Sequence, residues 1–104
     1  MQEYKILIDV DALEDIQDAV DWYNEQLPKL GSRFLRQVKR EINSLKNSAG
    51  TYAIRYGDVR CVLVKRFPFL IHFTLDKKQK TVQVFAVLHM SRNPKILSKR
   101  RGGI

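Results

Sequence analysis

The chain is poor in cysteine and proline, and its second half is nearly devoid of acid. Of its 104 residues one is Cys and three are Pro. The lone thiol, Cys61, excludes an internal disulfide, and its place between Arg60 and Val62 suits a small buried hydrophobe. The two histidines, His72 and His89, stand far apart and with one cysteine supply no ligand set. No metal and no cofactor is therefore expected. The longest apolar run, residues 67–73, is broken by Pro68 and His72 and falls far short of the ~20 residues that span a bilayer. No glycine-rich phosphate loop, nucleophile elbow or paired-carboxylate arrangement is present. Met1 is followed by Gln2 and Glu3 rather than by a cationic and then apolar leader. The expected location is the cytoplasm, without a membrane partner.

Charge is where the sequence is distinctive. Residues 51–104 hold 12 Lys and Arg against 2 Asp and Glu, whereas residues 1–50 hold 7 against 9. The formal net charge of +8 thus belongs to one half of a chain long enough for a single core. Such a directed field points to a polyanion or an acidic partner.

Apolar spacing divides the chain into an α+β order. Residues 4–10 read as a first strand. Asp11 is the expected N-cap of a helix over residues 11–27, with Glu14 completing a capping-box-like pair and Leu13, Ile16, Ala19 or Val20, Tyr23 and Leu27 as its core stripe. Pro28 is placed to open a second helix, in which Leu30, Phe34, Leu35, Val38, Ile42 and Leu45 keep the 3–4 spacing to about Asn47. The short join makes the two an antiparallel hairpin. The period then changes to two. Residues 59–65, 69–75 and 81–88 read as three meandering strands, the last alternating Val82, Val84, Ala86 and Leu88 with Thr81, Gln83, Phe85 and Val87. One face of this sheet is expected to receive the hairpin and the other to stay partly open. Residues 1–94 form the expected domain, and 95–104 a basic, flexible C-terminal tail.

Several side chains stand out as candidates. Lys29, Arg33, Arg36 and Arg40 step by four, three and four along one side of the second helix. They read either as a solvated face or as an extension of the cationic sheet. Trp22 falls at the edge of the first helix's stripe, where aromatics anchor interfaces. Arg60, Lys65, Arg66, His72, His89 and Arg92 make the site-like cluster, since RNA cleavage needs a titratable acid–base pair and cations for the charged transition state. A lone histidine at a strand end more often caps a hydrogen bond than catalyses, and His72 sits inside an apolar strand.

These pieces, in this order, resemble the RelE/ParE superfamily of type II toxin–antitoxin toxins, also called plasmid-stabilisation proteins. The resemblance rests on Ala19-Val20-Asp21-Trp22-Tyr23, on residues 28–34 opening the second helix, and on Val59-Arg60 starting the sheet. It continues through Phe67-Pro68-Phe69-Leu70-Ile71-His72-Phe73 and Val87-Leu88-His89-Met90-Ser91-Arg92-Asn93-Pro94. It implies an N-terminal strand and a helical hairpin packed on a twisted antiparallel sheet, together with a cognate antitoxin whose toxin-binding segment is usually acidic. In that superfamily RelE-like members cleave messenger RNA on the ribosome, whereas ParE-like members poison DNA gyrase. The ribonuclease branch typically carries an Arg early in the strand that here follows Pro68. This chain has no Arg between Arg66 and Arg92, and no Tyr after Tyr56. The resemblance therefore implies a ParE-like gyrase inhibitor, with Arg60, Lys65, Arg66, Arg92 and Lys95 meeting the target. Trp22, Arg33, Arg36 and Arg40 are expected to face the antitoxin, in a homodimer or a heterotetramer with it. The alternatives are a ribosome-dependent mRNA endoribonuclease using Arg66, His89 and Arg92, and a non-toxic basic nucleic-acid-binding module.

Overall fold

A computed structural model describes residues 3–91 and 95–100. Strand β1 (Lys5–Ile8) leads into helices α1 (Val10–Gln26) and α2 (Leu30–Ser48), a 3-10 turn (Ala49–Thr51), and strands β2 (Ile54–Tyr56), β3 (Val59–Leu63), β4 (Phe69–Asp76) and β5 (Thr81–His89). A short helix, α3 (Lys95–Arg100), follows. The five strands form one sheet in the order β1-β5-β4-β3-β2. β2 through β5 pair antiparallel, as expected of a meander, but β1 joins β5 in parallel, so the sheet is mixed. The two-helix crossover from β1 to the far side of the sheet permits that direction. β2 is too short to stand out in the sequence.

Local chemistry moves two helix boundaries. The N-cap of α1 is Asp9, not Asp11, and it makes no side-chain cap bond, because its carboxylate is taken by the Gln83 amide from β5. α2 starts at Leu30, after Lys29 turns the chain through a left-handed conformation with φ 73°. Gly31 then lets the helices touch: a Cβ there would lie 2.3 Å from the Val20 carbonyl oxygen. The Gly31 amide donates to Asn24 Oδ1 at 2.8 Å, which fixes the hairpin.

The main core lies between the hairpin and one face of the sheet. Phe34, Val38 and Leu45 of α2 meet Ile71, Phe73, Val82 and Val84, all fully buried. An aromatic knot closes one end, with Tyr23, Phe67 and Phe69 each within 5.3 Å of a neighbouring ring of the group that includes Phe34. The core stripe of α1 is Ala12, Ile16, Ala19 and Tyr23, while Leu13 and Leu27, expected inside, are 51% and 54% exposed.

The opposite face holds a second, smaller cluster of Val59, Cys61, Phe85, Ala86 and Leu88, covered by Ile96 and Leu97 of α3. Residues 95–100, expected as flexible tail, are thus helical and cover the sheet face expected to stay open. The strict alternation expected in β5 also fails. His72 pairs with Ala86 and Phe73 with Val84, which leaves Phe85 as the extra residue of a bulge. Beyond it Val87 faces the helices, while Ala86 and Leu88 turn to α3.

Candidate binding grooves and cationic surface

β1 ends opposite Val84, so the last residues of β5 have no strand on that side. Two charged groups occupy the gap. Asp15, from α1, accepts from the Val87 amide at 3.0 Å, and Arg100, from α3, reaches the Phe85 carbonyl at 3.4 Å. The two also pair: Arg100 Nη2 donates to Asp15 Oδ1 at 2.8 Å, and Nη1 donates to Oδ2. The Asp15 hydrogen bond pushes the guanidinium pKa above its ordinary value. Sequence reasoning missed this latch, since 85 positions separate its partners and nothing local links them.

Next to the latch, between α1 and the end of β5, lies a groove of about 480 Å³. Its walls are Ala19, Trp22, Tyr23, Pro68, Phe69 and Val87, and its polar groups are Asp15, Asp18 and His89. Trp22 is 55% exposed, with its ring edge on Tyr23 at 5.1 Å. His89 stacks edge-on against Phe69 at 5.4 Å, and its Nδ1 accepts from the Ser91 amide at 3.1 Å. The histidine thus combines the capping role with a position in a groove wall.

A second groove, of about 510 Å³, runs along β1 between the helices. Ile6, Ile8, Leu13, Ile16, Leu35 and Ile42 form its floor and walls, with Lys39 and Lys46 at its rim. Its signal in the sequence is the width of apolar surface on α1, where Leu13 lies outside the buried stripe that includes Ala12.

The expected site residues are not gathered in one place. His72 is buried, with its Nδ1 3.0 Å from the Tyr56 hydroxyl and 3.3 Å from Cys61 Sγ. Burial, and then Arg55 nearby, lower its pKa to about 4. Burial raises the Cys61 thiol, so a neutral ring and a protonated thiol share a dry hydrogen-bonded cluster. Arg60 is committed to structure, donating to the Tyr52 carbonyl at 2.6 Å and the Gly50 carbonyl at 3.2 Å. Lys65 and Arg66 are exposed in the β3–β4 turn, where Arg66 has φ 74°. That turn is fastened to α2: the Lys65 amide donates to Glu41 Oε2 at 3.3 Å, and Phe67 packs on Phe34 at 5.1 Å. Arg92 and the Lys95 side chain lie outside what the structure describes. Arg33, Arg36 and Arg40 are exposed on α2 and line neither groove.

Comparison with known proteins gives this geometry its relatives. The chain is similar to a solved "chromosomal ParDE TA system from P. aeruginosa", with TM-score 0.73 and 19% identity over 84% of this chain and 96% of that one. It is also similar to a chain of the intact E. coli RelBE toxin–antitoxin complex, with TM-score 0.64 and 18% identity over 86% and 99% of the two chains. A third likeness is to the RelBE2 toxin–antitoxin complex of Mycobacterium tuberculosis, with TM-score 0.59 and 17% identity over 84% and 98%. No match was found among curated protein sequences. The family model described as "ParE toxin of type II toxin-antitoxin system, parDE" matches residues 6–94, which takes in α1, α2, strands β2 to β5 and all of β1 but its first residue, and the chain belongs to the ParE toxin family.

Proposed function

We propose that this chain inhibits DNA gyrase by binding, and that a cognate antitoxin neutralises it. The observation that carries the reading is the lining of the groove beside His89. Its charged members are Asp15 and Asp18, and no Lys or Arg contributes to its wall among the described residues. Arg100 is already committed to Asp15, and Asp18 repels a phosphodiester and gives its transition state no counter-charge. His89 moreover keeps Nδ1 on Ser91, and Arg66 belongs to the turn fastened on α2. An apolar groove with an exposed Trp suits a protein partner instead. Purified chain should block gyrase supercoiling while leaving transcripts on translating ribosomes intact, and His89→Ala should leave that block within about threefold. Transcript cleavage lost in Arg66→Ala would instead establish the ribonuclease alternative.

The antitoxin is assigned to the groove along β1. Its apolar floor with Lys39 and Lys46 at the rim is complementary to an amphipathic helix with an acidic border. The solved ParDE and RelBE structures it resembles are toxin–antitoxin systems, which supports a partner of this kind.

A further inference from the structure

The helical hairpin is electrically split. α1 carries Asp11, Glu14, Asp15, Asp18, Asp21 and Glu25 with no Lys or Arg, whereas α2 carries five cations against Glu41 alone. Glu41 keeps its charge but is in no ion pair with these cations among the described residues; its Oε2 accepts from Gln37 Nε2 at 2.9 Å and from the Lys65 amide. That second bond sets the β3–β4 turn, which carries Lys65 and Arg66, beside α2. Lys29, Arg33, Arg36, Arg40, Lys65 and Arg66 are all exposed. None is in an ion pair among the described residues.

We propose that this outer face of α2, with the β3–β4 turn, is a binding surface for the phosphate backbone of a nucleic-acid duplex. Three observations select that ligand over an acidic protein. No exposed large hydrophobic residue among the described ones lies on α2, and stable protein interfaces need apolar or aromatic anchors. Three of the six cations are arginines on a rigid helix, and arginine's planar fork suits phosphate oxygens. From Lys29 to Arg40 the stripe runs ~16 Å at about 1.5 Å per residue, enough to follow about four phosphates at ~3.4 Å of axis per strand. Contacts confined to the phosphate backbone carry no sequence information, so recognition is independent of sequence.

The test is fluorescence anisotropy of the purified full chain with labelled 20-base-pair duplexes, one DNA and one RNA, from 50 to 200 mM salt. Micromolar or tighter binding at 50 mM salt is expected, with a log–log salt slope of about −4 for four phosphates. Arg33→Ala/Arg36→Ala/Arg40→Ala should weaken it on the order of 100-fold at 100 mM salt and flatten the slope to about −1. The equally discharged Lys77→Ala/Lys78→Ala/Lys80→Gly, in the β4–β5 turn, should stay within threefold. Circular dichroism confirms folding of each variant, and Arg36→Ala alone gives the same direction where the triple variant is unfolded. Preference for one duplex identifies the DNA or RNA source and upholds the surface. Equal losses in both triple variants, no binding at 50 mM salt, or equal competition by polyglutamate would overturn it. The outcome is separable from gyrase inhibition, since duplex binding is read without gyrase and without an antitoxin.

Discussion

His72 is a neutral imidazole held in a dry place, and that makes stability depend on pH. Its pKa falls from 6.5 to about 4 in the folded chain, chiefly through burial, with Arg55 and Arg100 lowering it and Asp15 opposing them. Because the folded pKa is depressed, the unfolded chain takes up a proton below pH 6.5 that the folded chain refuses until about pH 4. The stabilisation is complete above pH 6.5 and is lost as pH falls through that window, by about 2–3 kcal/mol at pH 4.5. Urea midpoints at pH 7 and pH 4.5 should therefore differ less in His72→Gln than in the native chain. An undiminished difference would place the acid sensitivity elsewhere. The sequence marked His72 as part of a cationic cluster, yet its neighbours are a tyrosine hydroxyl and a thiol. Alternation says which face a residue occupies, but not whether a distant helix will cover that face.

Elements show the same divide between local and remote information. The helices, the 76–80 turn and the three long strands were legible because hydrophobic period, turn chemistry and Pro or Gly punctuation are local. The docking of α3, the parallel place of β1 and the cap at Asp9 were not, since each depends on a partner more than 70 positions away. Two element contacts can be measured. Gly31→Ala would gain helix propensity, but its Cβ would meet the Val20 carbonyl at 2.3 Å. We expect a net loss of about 1–3 kcal/mol by denaturant unfolding. Asp15→Ala leaves Arg100 with only the more distant Asp11, 4.0 Å from its Nε, and frees the Val87 amide. It should cost ~3 kcal/mol and increase hydrogen exchange at Val87 and through α3 before the main core is affected.

At the scale of the whole molecule, the proposed functions fall on separate surfaces. The apolar groove along β1, the groove beside Trp22 and His89, and the cationic face of α2 share no lining residue. Each should therefore fail alone. Leu13 is half-exposed in the wall of the β1 groove, and Leu13→Asp should leave the fold and gyrase inhibition intact. Co-expressed antitoxin should then bind at least about 30-fold more weakly by titration calorimetry and no longer restore growth. Unchanged neutralisation would move the antitoxin to another face. The sequence disclosed that one half of the chain was basic, but not that folding would lay the turn after β3 against α2 while leaving an acidic helix beside both grooves. Charge totals carry no direction until the elements are placed.

The bulge at Phe85 bears on how this strand is to be compared with others. β5 serves two cores, and the extra residue shifts its phase midway, so that the consecutive Phe85 and Ala86 both lie in the cluster under α3. A relative without that residue would be one position out of step from there to the strand end. Aligned without a gap, its helix-facing positions would be matched to residues that here lie under α3. Substitutions transferred by such an alignment would exchange the two environments. Deleting Phe85 from this chain would remove the bulge and restore strict alternation, leaving Val87 toward the helices and Ala86 and Leu88 under α3.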